Sequence, residues 1–271
     1  MIDQAELERQ FRGIGLQTGD KVVVHSSLRS IGRVEGGAPT VVRALLSVLG
    51  PEGLLVAPTF NFREPRFDPD ATPSRMGVIS ETVRTWPGAV RSWQPTHTVA
   101  AIGPGAEALT AGHHLVGGGL SIDSPLDRLA AQGGWVLLLG VGHNRNSTIH
   151  VGEAQAGVPH LHVPYGPDGA TSVPISVKGE TIKVALREFP GCSEAFGAVE
   201  GELRRRGHIR DRMVGGASMQ LMRGADLIRT VVDLLRDDPT ILLCTSTACS
   251  RCPGARAMLA SNAGHPLSPN A

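Results

Sequence analysis

The segment GGWVLLLGVGHNRNSTIHVGEAQAG (133–157) places two histidines and a glutamate directly after a run of apolar residues. In open α/β sheets, reactive groups gather just beyond the carboxyl ends of the strands. Residues 146–148 (Asn-Ser-Thr) are good N-cap types and predict a helix that ends near residue 156. His150 and Glu153 are three residues apart, so they would share one face of this helix within hydrogen-bonding reach.

This spacing predicts a proton-abstracting pair. A helix N-terminus disfavours an imidazolium, whereas a neighbouring carboxylate favours one and can fix the tautomer of the ring. A neutral imidazole oriented by a carboxylate suits a general base near neutral pH. The same spacing is also typical of an ordinary surface pair of His150 and Glu153, and His143 could simply brace the loop. The spacing leaves both interpretations open.

A second candidate lies in VVVHSSLRSIGRVEGG (22–37). A buried strand ends in small hydroxyl residues, and a glycine-flanked turn then precedes a helix. Backbone N–H groups and hydroxyls in such a turn could hold a phosphate or an amide. The stretch lacks the lysine and spacing of a Walker A loop, so it is not an NTPase signature. A plain strand end with a locally satisfied histidine is the alternative.

The four cysteines form a third candidate. Three of them lie in CTSTACSRC, and its C-x2-C half has the spacing of a zinc knuckle. A closed four-thiolate site would be structural and would hold the C-terminal tail against the middle of the chain. Free thiols, or a redox pair of Cys249 and Cys252, are the alternatives. The proposed metal ligands are Cys192, Cys244, Cys249 and Cys252.

The elements around these residues predict an α/β fold, with a mixed central sheet flanked by helices and a smaller C-terminal part of β-hairpin and helices. Continuous apolar strands are typical of a sheet covered on both faces. Residues 60–77, rich in proline, predict a long ordered loop. Strands are predicted at 21–27, 53–60, 96–103, 135–142 and 240–244, a hairpin at 171–189, and helices at 4–16, 36–50, 77–86, 124–134, 146–156, 193–206 and 223–237.

Size and composition restrict the class of protein. We expect one domain over 1–260, with 171–255 peripheral and 261–271 a disordered tail. The 26 basic and 25 acidic residues are evenly spread, so nucleic acid is not an expected partner. The chain shows neither a signal-peptide start nor an apolar run of the roughly 20 residues that span a bilayer. We therefore expect a cytoplasmic protein with reduced cysteines. The sequence predicts no particular oligomeric state.

Taken together, these segments resemble the aminoglycoside 3-N-acetyltransferase family. The matching stretches cover about residues 18–160 in the family's order and spacing, and the match is weaker beyond them. The resemblance implies transfer of an acetyl group from acetyl-CoA to the 3-amino group of a 2-deoxystreptamine aminoglycoside, and hence antibiotic resistance. The stretches are HSSLRSIG, GGAPTVVRALLSVLGPEGLLVAPTF, FDPDATPSRMG, RTWPGAVRSWQPTHTVAAIGP, SPLDRL and VLLLGVGHNRNSTIHVGE.

The resemblance also implies roles for particular residues. In the family, the histidine of an H-x-x-E helix is the general base, which is His150 here with Glu153 as its partner. Some members share a cysteine in the middle region and a C-terminal C-x2-C, which supports the zinc site. The residues expected to contact CoA are Ser27, Leu28, Arg29, Ser30, Ile31, Gly32, Ser124, Pro125 and Leu126.

One position departs from the family pattern. Members usually carry GHDxNT before the helix, whereas this chain has GHNRNS, so Asn144 replaces an aspartate. Asparagine keeps the hydrogen-bonding shape of aspartate but lacks its charge, which puts activity or substrate range in question. A polycationic substrate needs acidic walls. Asp68 and Glu153 are the best candidates for those walls, with Asn144 as a further substrate contact. Weaker candidates are Asp70, Glu64 and Asp123.

Two competing functions fit the same sequence. An acyltransferase of this fold could act on another amine, such as a biosynthetic intermediate, and Asn144 motivates that alternative. The second is a non-catalytic protein that sequesters CoA or a polycation. Tight binding of an aminoglycoside without release of CoA would favour this alternative.

Overall fold

A computed structural model of the chain describes residues 1–61, 66–163 and 171–261, which form a seven-stranded and a two-stranded sheet. The strands are β1 (Lys21–Ser26), β2 (Leu54–Pro58), β3 (Val90–Arg91), β4 (Val99–Ile102), β5 (Trp135–Leu139), β6 (Ser172–Val177), β7 (Glu180–Ala185), β8 (Arg210–Val214) and β9 (Ala217–Arg223). The large sheet has the order β3-β4-β2-β1-β5-β9-β8. Its central strands β2, β1 and β5 are parallel, and β4, β3, β9 and β8 are antiparallel to their neighbours. The predicted mixed sheet is confirmed.

Helices cover both faces of the large sheet. They are α1 (Gln4–Ile14), α2 (Leu28–Ile31), α3 (Ala38–Leu49), α4 (Val78–Arg84), α5 (Ala106–Thr110), α6 (Pro125–Ala131), α7 (Thr148–Gln155), α8 (Val199–Arg205), α9 (Gly224–Asp237) and α10 (Cys252–Ser261). One core lies under α1, α3 and α4, and the other lies under α5, α6, α7 and α9. Val22 and Val24 of β1 point into the first core and Val23 into the second. The central strands are continuously apolar because both faces are buried.

The C-terminal third differs most from the sequence prediction. Residues 210–223, to which the sequence analysis assigned no strand, form the β8–β9 hairpin around the Gly215–Gly216 turn. Leu221 of β9 pairs with Leu137 of β5, so this hairpin extends the central sheet. The expectation that 171–255 is peripheral is therefore wrong for these strands. The hairpin predicted at 171–189 is confirmed as β6–β7.

The strand predicted at 240–244 is wrong. This segment is a turn, in which Ile241 N–H donates to the Asp238 carbonyl at 3.2 Å and Leu243 N–H donates to the Thr240 carbonyl at 2.9 Å. The Asp238 carboxylate accepts from the Thr240 N–H at 2.8 Å and closes the turn. The tail predicted to be disordered lies outside the described residues, apart from Ser261 at the end of α10. No helix in the described ranges has the length and apolar character needed to cross a bilayer.

Helix α7 packs against α9 through a glycine. A Cβ added at Gly152 would lie 2.5 Å from Val231 Cγ1 and 2.6 Å from its Cβ, so the two helices approach too closely for any side chain there. Every residue from Thr148 to Ala154 of α7 is buried. The helix that carries His150 and Glu153 is therefore fixed from all sides.

We predict that Gly152→Ala destabilises the protein, because the added methyl group forces α7 and α9 apart. Overpacking of a core typically costs about 1–3 kcal/mol, and the melting temperature should fall by several degrees in thermal unfolding. Gly201→Ala in α8 is the matched control, since a Cβ there meets nothing within 4 Å. The control should be neutral or slightly stabilising, because alanine is the better helix former. Equal melting temperatures for both variants would contradict the close packing.

Candidate active site

The carboxyl ends of β2, β1 and β5 meet at one edge of the sheet, where they open into a cavity of about 460 Å³. We call it the sheet-edge cavity, and its described lining includes His25, Ser26, Ser27, Pro58, Arg75 and residues 140–142. Gly140 ends β5 with φ of +71°, and a Cβ there would lie 2.7 Å from Ser30 Cβ. This glycine lets the loop after β5 pass close to α2. The cavity therefore lies between the two segments that the sequence analysis singled out.

A second cavity of about 390 Å³ adjoins the first and is called the histidine cavity. It is lined by Phe60, His97, Leu120, Asn146, His150, Pro190, Gly191, Ser193 and Phe196, and it shares Met76, Asn144, Arg145 and Ser147 with the sheet-edge cavity. The shared residues lie mostly in the turn between β5 and α7. A ligand in one cavity can therefore reach a ligand in the other across this turn.

The turn is fixed by local hydrogen bonds. Residues 143–145 form a 3-10 turn that ends with Asn146 N–H donating to the His143 carbonyl at 2.8 Å. The Asn146 side chain accepts from Thr148 N–H at 3.3 Å and satisfies one free donor at the start of α7. Ser193 Oγ donates to the Asn144 carbonyl at 2.8 Å. Backbone and side-chain bonds thus set the entry into the helix.

The predicted pair is formed and buried. His150 Nδ1 lies 2.5 Å from Glu153 Oε2, and the side chains of these residues are 8% and 3% exposed. An exposed surface pair is therefore excluded. With Nδ1 bonded to the carboxylate, the Nε2 of the ring carries the free lone pair when the imidazole is neutral. Because the ring of His150 lines the histidine cavity, the pair is in contact with a cleft.

Phe196 sets the plane of the His150 ring. The ring centroids are 4.7 Å apart at an interplanar angle of 66°, an edge-to-face arrangement. Phe196 is fully buried and lies in a 3-10 turn before α8, 46 residues beyond His150. The imidazole is therefore held by its Nδ1 hydrogen bond and by an aromatic contact from a distant segment.

The carboxylate of Glu153 is held in its charged form. Burial alone would raise its pKa, but the neighbouring His150 and, to a lesser degree, His160 outweigh burial and hold the pKa below the usual range of a glutamate. His160 Nε2 lies 3.7 Å from Glu153 Oε1, the oxygen not used by His150. An ionised Glu153 accepts the Nδ1 hydrogen and therefore selects the tautomer a general base requires.

The other histidines near the site have lowered pKa values. Burial lowers the pKa of His25 to about 3, and burial followed by the charge of His150 lowers that of His97 well below its usual value. Burial also lowers the pKa of His143, whose Nδ1 lies 3.4 Å from Asn146 Nδ2. His143 is thus buried inside the turn, in keeping with the bracing role considered from the sequence. These rings stay uncharged at neutral pH.

The residues predicted to contact CoA differ in their access to the sheet-edge cavity. Ser27 lines the sheet-edge cavity and caps α2, where its Oγ accepts from the Ser30 N–H at 3.3 Å and also from Ser30 Oγ at 2.9 Å. The side chains of Leu28 and Ile31 pack towards the core, so only their backbone could face a ligand. Arg29, Ser30 and Gly32 are exposed. Ser124, Pro125 and Leu126 are buried at the start of α6 and do not line the cavities described here.

The predicted substrate contacts are only partly brought together. Asn144 lines both cavities, whereas Asp68 lines neither of them. Asp68 Oδ1 accepts from the N–H groups of Asp70 at 2.8 Å and Ala71 at 3.0 Å, so this carboxylate is used in a local turn. Glu64 lies outside the described residues. A substrate role for Asp68 stays a prediction.

The four cysteines converge although Cys192 is 52 residues from the next of them. Their Sγ atoms all lie within 4.8 Å of one another, which brings together every predicted ligand. A tetrahedral zinc site with Zn–S bonds near 2.3 Å places its sulfurs about 3.8 Å apart, so the cluster fits zinc with a small contraction. All four cysteines are free of disulfide bonds.

Backbone N–H groups point at the sulfurs. Cys249 Sγ accepts from the N–H groups of Arg251 and Cys252 at 3.4 Å each, and these donors lower the pKa of that thiol to about 6. Burial raises the pKa of Cys192 and Cys252. Four thiols this close can be deprotonated together only beside a cation, so the donor set is suited to a soft divalent metal.

A third cavity of about 540 Å³ lies between the cysteines and the His150–Glu153 pair, and we call it the cysteine-side cavity. Its lining includes Glu153, His160, Gly191, Cys192, Arg251 and Cys252. Among the described residues that line the three cavities, Glu153 is the sole carboxylate. Phe196, His97 and His160 are site residues that the sequence did not predict, because nothing in their own segments signals contact with α7.

A buried carboxylate–histidine pair beside two joined cavities, at the carboxyl edge of a mixed α/β sheet, is suited to an enzyme that takes a proton from its substrate. The chain belongs to the aminoglycoside 3-N-acetyltransferase family, whose profile matches residues 23–236. Aminoglycoside N(3)-acetyltransferase IV from Salmonella sp. is 35% identical to it over 244 residues, which cover 89% of this chain and 90% of that protein.

Solved structures agree with this assignment. The apoenzyme of aminoglycoside acetyltransferase AAC(3)-IVa superposes with a TM-score of 0.83 at 34% identity, over 94% of this chain and 97% of that one. A mutant of the same enzyme has been solved in complex with a gentamicin and gives a TM-score of 0.80 at 34% identity, with the same coverage. AAC-IIIb in a binary complex with CoASH gives 0.78 at 28% identity, over 87% and 96% of the two chains.

Proposed function

We propose that this chain transfers the acetyl group of acetyl-CoA to the 3-amino group of a 2-deoxystreptamine aminoglycoside, with His150 as the general base. The observation that carries the proposal is the buried His150–Glu153 bond of 2.5 Å on a ring that lines a cleft. Family membership supports the reaction, and the CoA and gentamicin complexes of relatives support the two substrates. The same reaction would confer resistance to the acetylated antibiotic.

The amine of the substrate must lose a proton before it can attack. His150 Nε2 accepts that proton while Nδ1–H stays bonded to Glu153, and the carboxylate stabilises the imidazolium that forms. The amine nitrogen then bonds to the thioester carbon, and the tetrahedral intermediate collapses with loss of the C–S bond. The departing CoA sulfur takes up the second proton of the attacking nitrogen, so that the products are the amide and CoASH. His150 then releases its proton to solvent. The reaction needs no covalent enzyme intermediate.

We place acetyl-CoA along the sheet-edge cavity and the aminoglycoside in the histidine cavity. The hydroxyls of Ser26 and Ser27 line the first of these, and the exposed Arg29 on α2 suits an anionic pyrophosphate nearby. The predicted segment 27–32 would hold CoA along this cavity, by backbone contacts where its side chains are buried. Residues 124–126 do not line the cavity, so their contact with CoA stays a prediction. The thioester would then meet the amine at the turn formed by residues 143–147.

We further propose that the four cysteines bind a structural zinc ion. A closed four-thiolate site supplies folding energy and no chemistry. It would hold Cys192, and through its neighbour Ser193 the Asn144 carbonyl, in place beside the cleft. A cytoplasmic location belongs to the same proposal, because such a site requires reduced thiols.

A second candidate substrate follows from the charge of the cleft. Asn144 occupies the place of the family's usual aspartate, and Glu153 is the sole carboxylate among the described residues that line the cavities. With so few acids among its described lining residues, the cleft favours an amine with fewer positive charges than an aminoglycoside. Acetylation of such an amine by the same histidine is the alternative.

The two candidates are separated by measuring release of free CoA thiol from acetyl-CoA. The purified enzyme is assayed against several aminoglycosides and against a panel of simple and polyfunctional amines. The proposal requires kcat/KM for at least one aminoglycoside to exceed that for every simple amine. Tight binding of an aminoglycoside with no thiol release would instead show a sequestering protein.

His150→Ala should lower kcat by a factor on the order of 10²–10⁴, the usual contribution of a general base. Glu153→Gln should lower kcat less, because the amide keeps the shape of the side chain but not its charge. Steady-state kinetics with saturating acetyl-CoA measure both effects. Near-normal turnover of His150→Ala would exclude its role as the base.

Removal of one cysteine should remove the metal. Wild-type protein should contain about one equivalent of zinc by elemental analysis, and Cys192→Ser should contain far less and melt at a lower temperature. Ser246→Ala, an exposed change inside the same cysteine loop, is the control and should keep both values. Wild-type protein with less than about half an equivalent of zinc and four reduced thiols would contradict the zinc site.

A further inference from the structure

His160 is a buried titratable residue that the proposed mechanism does not use. It lies in the 3-10 turn Pro159–His162 that follows α7, and its side chain is 9% exposed. Its Nε2 faces Glu153 Oε1 at 3.7 Å, while Glu153 Oε2 bonds His150 at 2.5 Å. The two oxygens of one carboxylate therefore face two different histidines.

A buried carboxylate needs donors for both oxygens. Glu153 is 3% exposed where it lines the cysteine-side cavity, so a donor from the protein is favoured for its second oxygen. A hydrogen bond to Oε2 alone would leave the carboxylate plane free to turn about its terminal torsion, which is broad for glutamate. A donor at Oε1 restricts that rotation and keeps Oε2 directed at His150. His160 also contributes to the lowered pKa of Glu153.

The tautomer of His160 is not fixed from its other side. Nδ1 is buried and has no hydrogen-bond partner within the part of the chain that is described. The ring can therefore place its hydrogen on Nε2, towards the carboxylate, without losing a bond at Nδ1. A separation of 3.7 Å is longer than a hydrogen bond, and a closure of less than 1 Å brings it into range.

The turn that carries His160 is anchored by later segments. Phe189 N–H donates to the Leu161 carbonyl at 2.7 Å, and Leu161 is buried. Arg251, between two of the cysteines, donates to the Val163 carbonyl at 3.2 Å and to the Phe189 carbonyl at 2.7 Å. The position of His160 is therefore fixed by the chain on both sides of the cysteine-side cavity.

We propose that His160 is a positioning residue, which donates its Nε2–H to Glu153 Oε1 and thereby holds the carboxylate in the orientation that directs His150. This inference rests on the proposed role of His150 as the base. His160 touches no substrate and acts through Glu153. It completes a histidine–carboxylate–histidine arrangement inside the protein.

The test compares His160→Leu, which removes the donor, with His160→Gln, whose amide nitrogen can occupy the position of Nε2. His160→Leu should lower kcat by about 10- to 30-fold with KM changed by less than about threefold, and His160→Gln should restore kcat to within about threefold of wild type. His162→Leu, an exposed change in the same turn, is the control and should match wild type. Equal kcat for the leucine variant and wild type would overturn the proposal.

A double-mutant cycle distinguishes action through Glu153 from a general structural effect. In a Glu153→Gln background, His160→Leu should cost less than about twofold in kcat, because the carboxylate it positions is gone. The same loss in both backgrounds would overturn the proposal while leaving the general base intact. Near-normal turnover of His150→Ala would instead defeat the proposed mechanism itself.

The tautomers give a readout that needs no stable variant at position 160. Nitrogen NMR of histidine-labelled wild-type enzyme at neutral pH should show hydrogen on Nδ1 of His150 and on Nε2 of His160, with signals assigned through backbone correlation. Opposite tautomers for the two rings follow directly from one carboxylate between them. A hydrogen on Nδ1 of a neutral His160 would overturn the proposal.

Discussion

The contact of one buried carboxylate with a histidine governs the rest of this structure. The Glu153 carboxylate is 3% exposed on helix α7, where an unpaired charge would be costly. The hydrogen bond to His150 satisfies one oxygen of that ion and orients the ring at the same time. Burial strengthens the bond, because little water competes for it. Burial therefore has two effects: it makes the charge of Glu153 costly to hold, and it makes the hydrogen bond to His150 strong enough to orient the ring.

The surrounding elements pack around the His150–Glu153 pair. Gly152 allows α9 to close against α7, and Phe196 closes the edge of the imidazole. On the open side, the turn of residues 143–147 separates two cavities without sealing either from the other. Proton transfer can thus be protected on the glutamate side while the opposite side of the ring stays accessible to ligands.

Much of this arrangement was readable in the sequence because its signals are local. Continuous apolar runs predicted the three parallel strands, and the three-residue spacing predicted the contact of His150 with Glu153. Burial of that pair could not be predicted, since it depends on helices that follow much later. Phe196 and His160 were missed for the same reason: neither lies on α7, and nothing in its own segment shows what it meets.

The errors have similar causes. Apolar residues at 240–244 suggested a strand, but the Asp238 side chain closes a turn there instead. The β8–β9 hairpin carried a Gly-Gly turn signal at 215–216 that was not used, although it adds two strands to the sheet. Asp68 was selected for its charge, which accepts hydrogen bonds from two backbone N–H groups, and its substrate role stays a prediction. The charge of a loop residue gives no information on the direction in which its side chain points.

The meeting of Cys192 with three cysteines from the last part of the described chain has a consequence for synthesis. During translation, Cys192 leaves the ribosome well before Cys252, so the sulfur cluster cannot close until the segment that carries Cys252 has been made. Arg251, which anchors the carbonyls of Val163 and Phe189, arrives equally late. The sheet and α7 can assemble on the nascent chain, while the wall behind Glu153 waits for the segment that carries Arg251 and Cys252. A chain released before Cys252 would have its sheet and α7 formed, but it would lack the wall of the cysteine-side cavity behind Glu153.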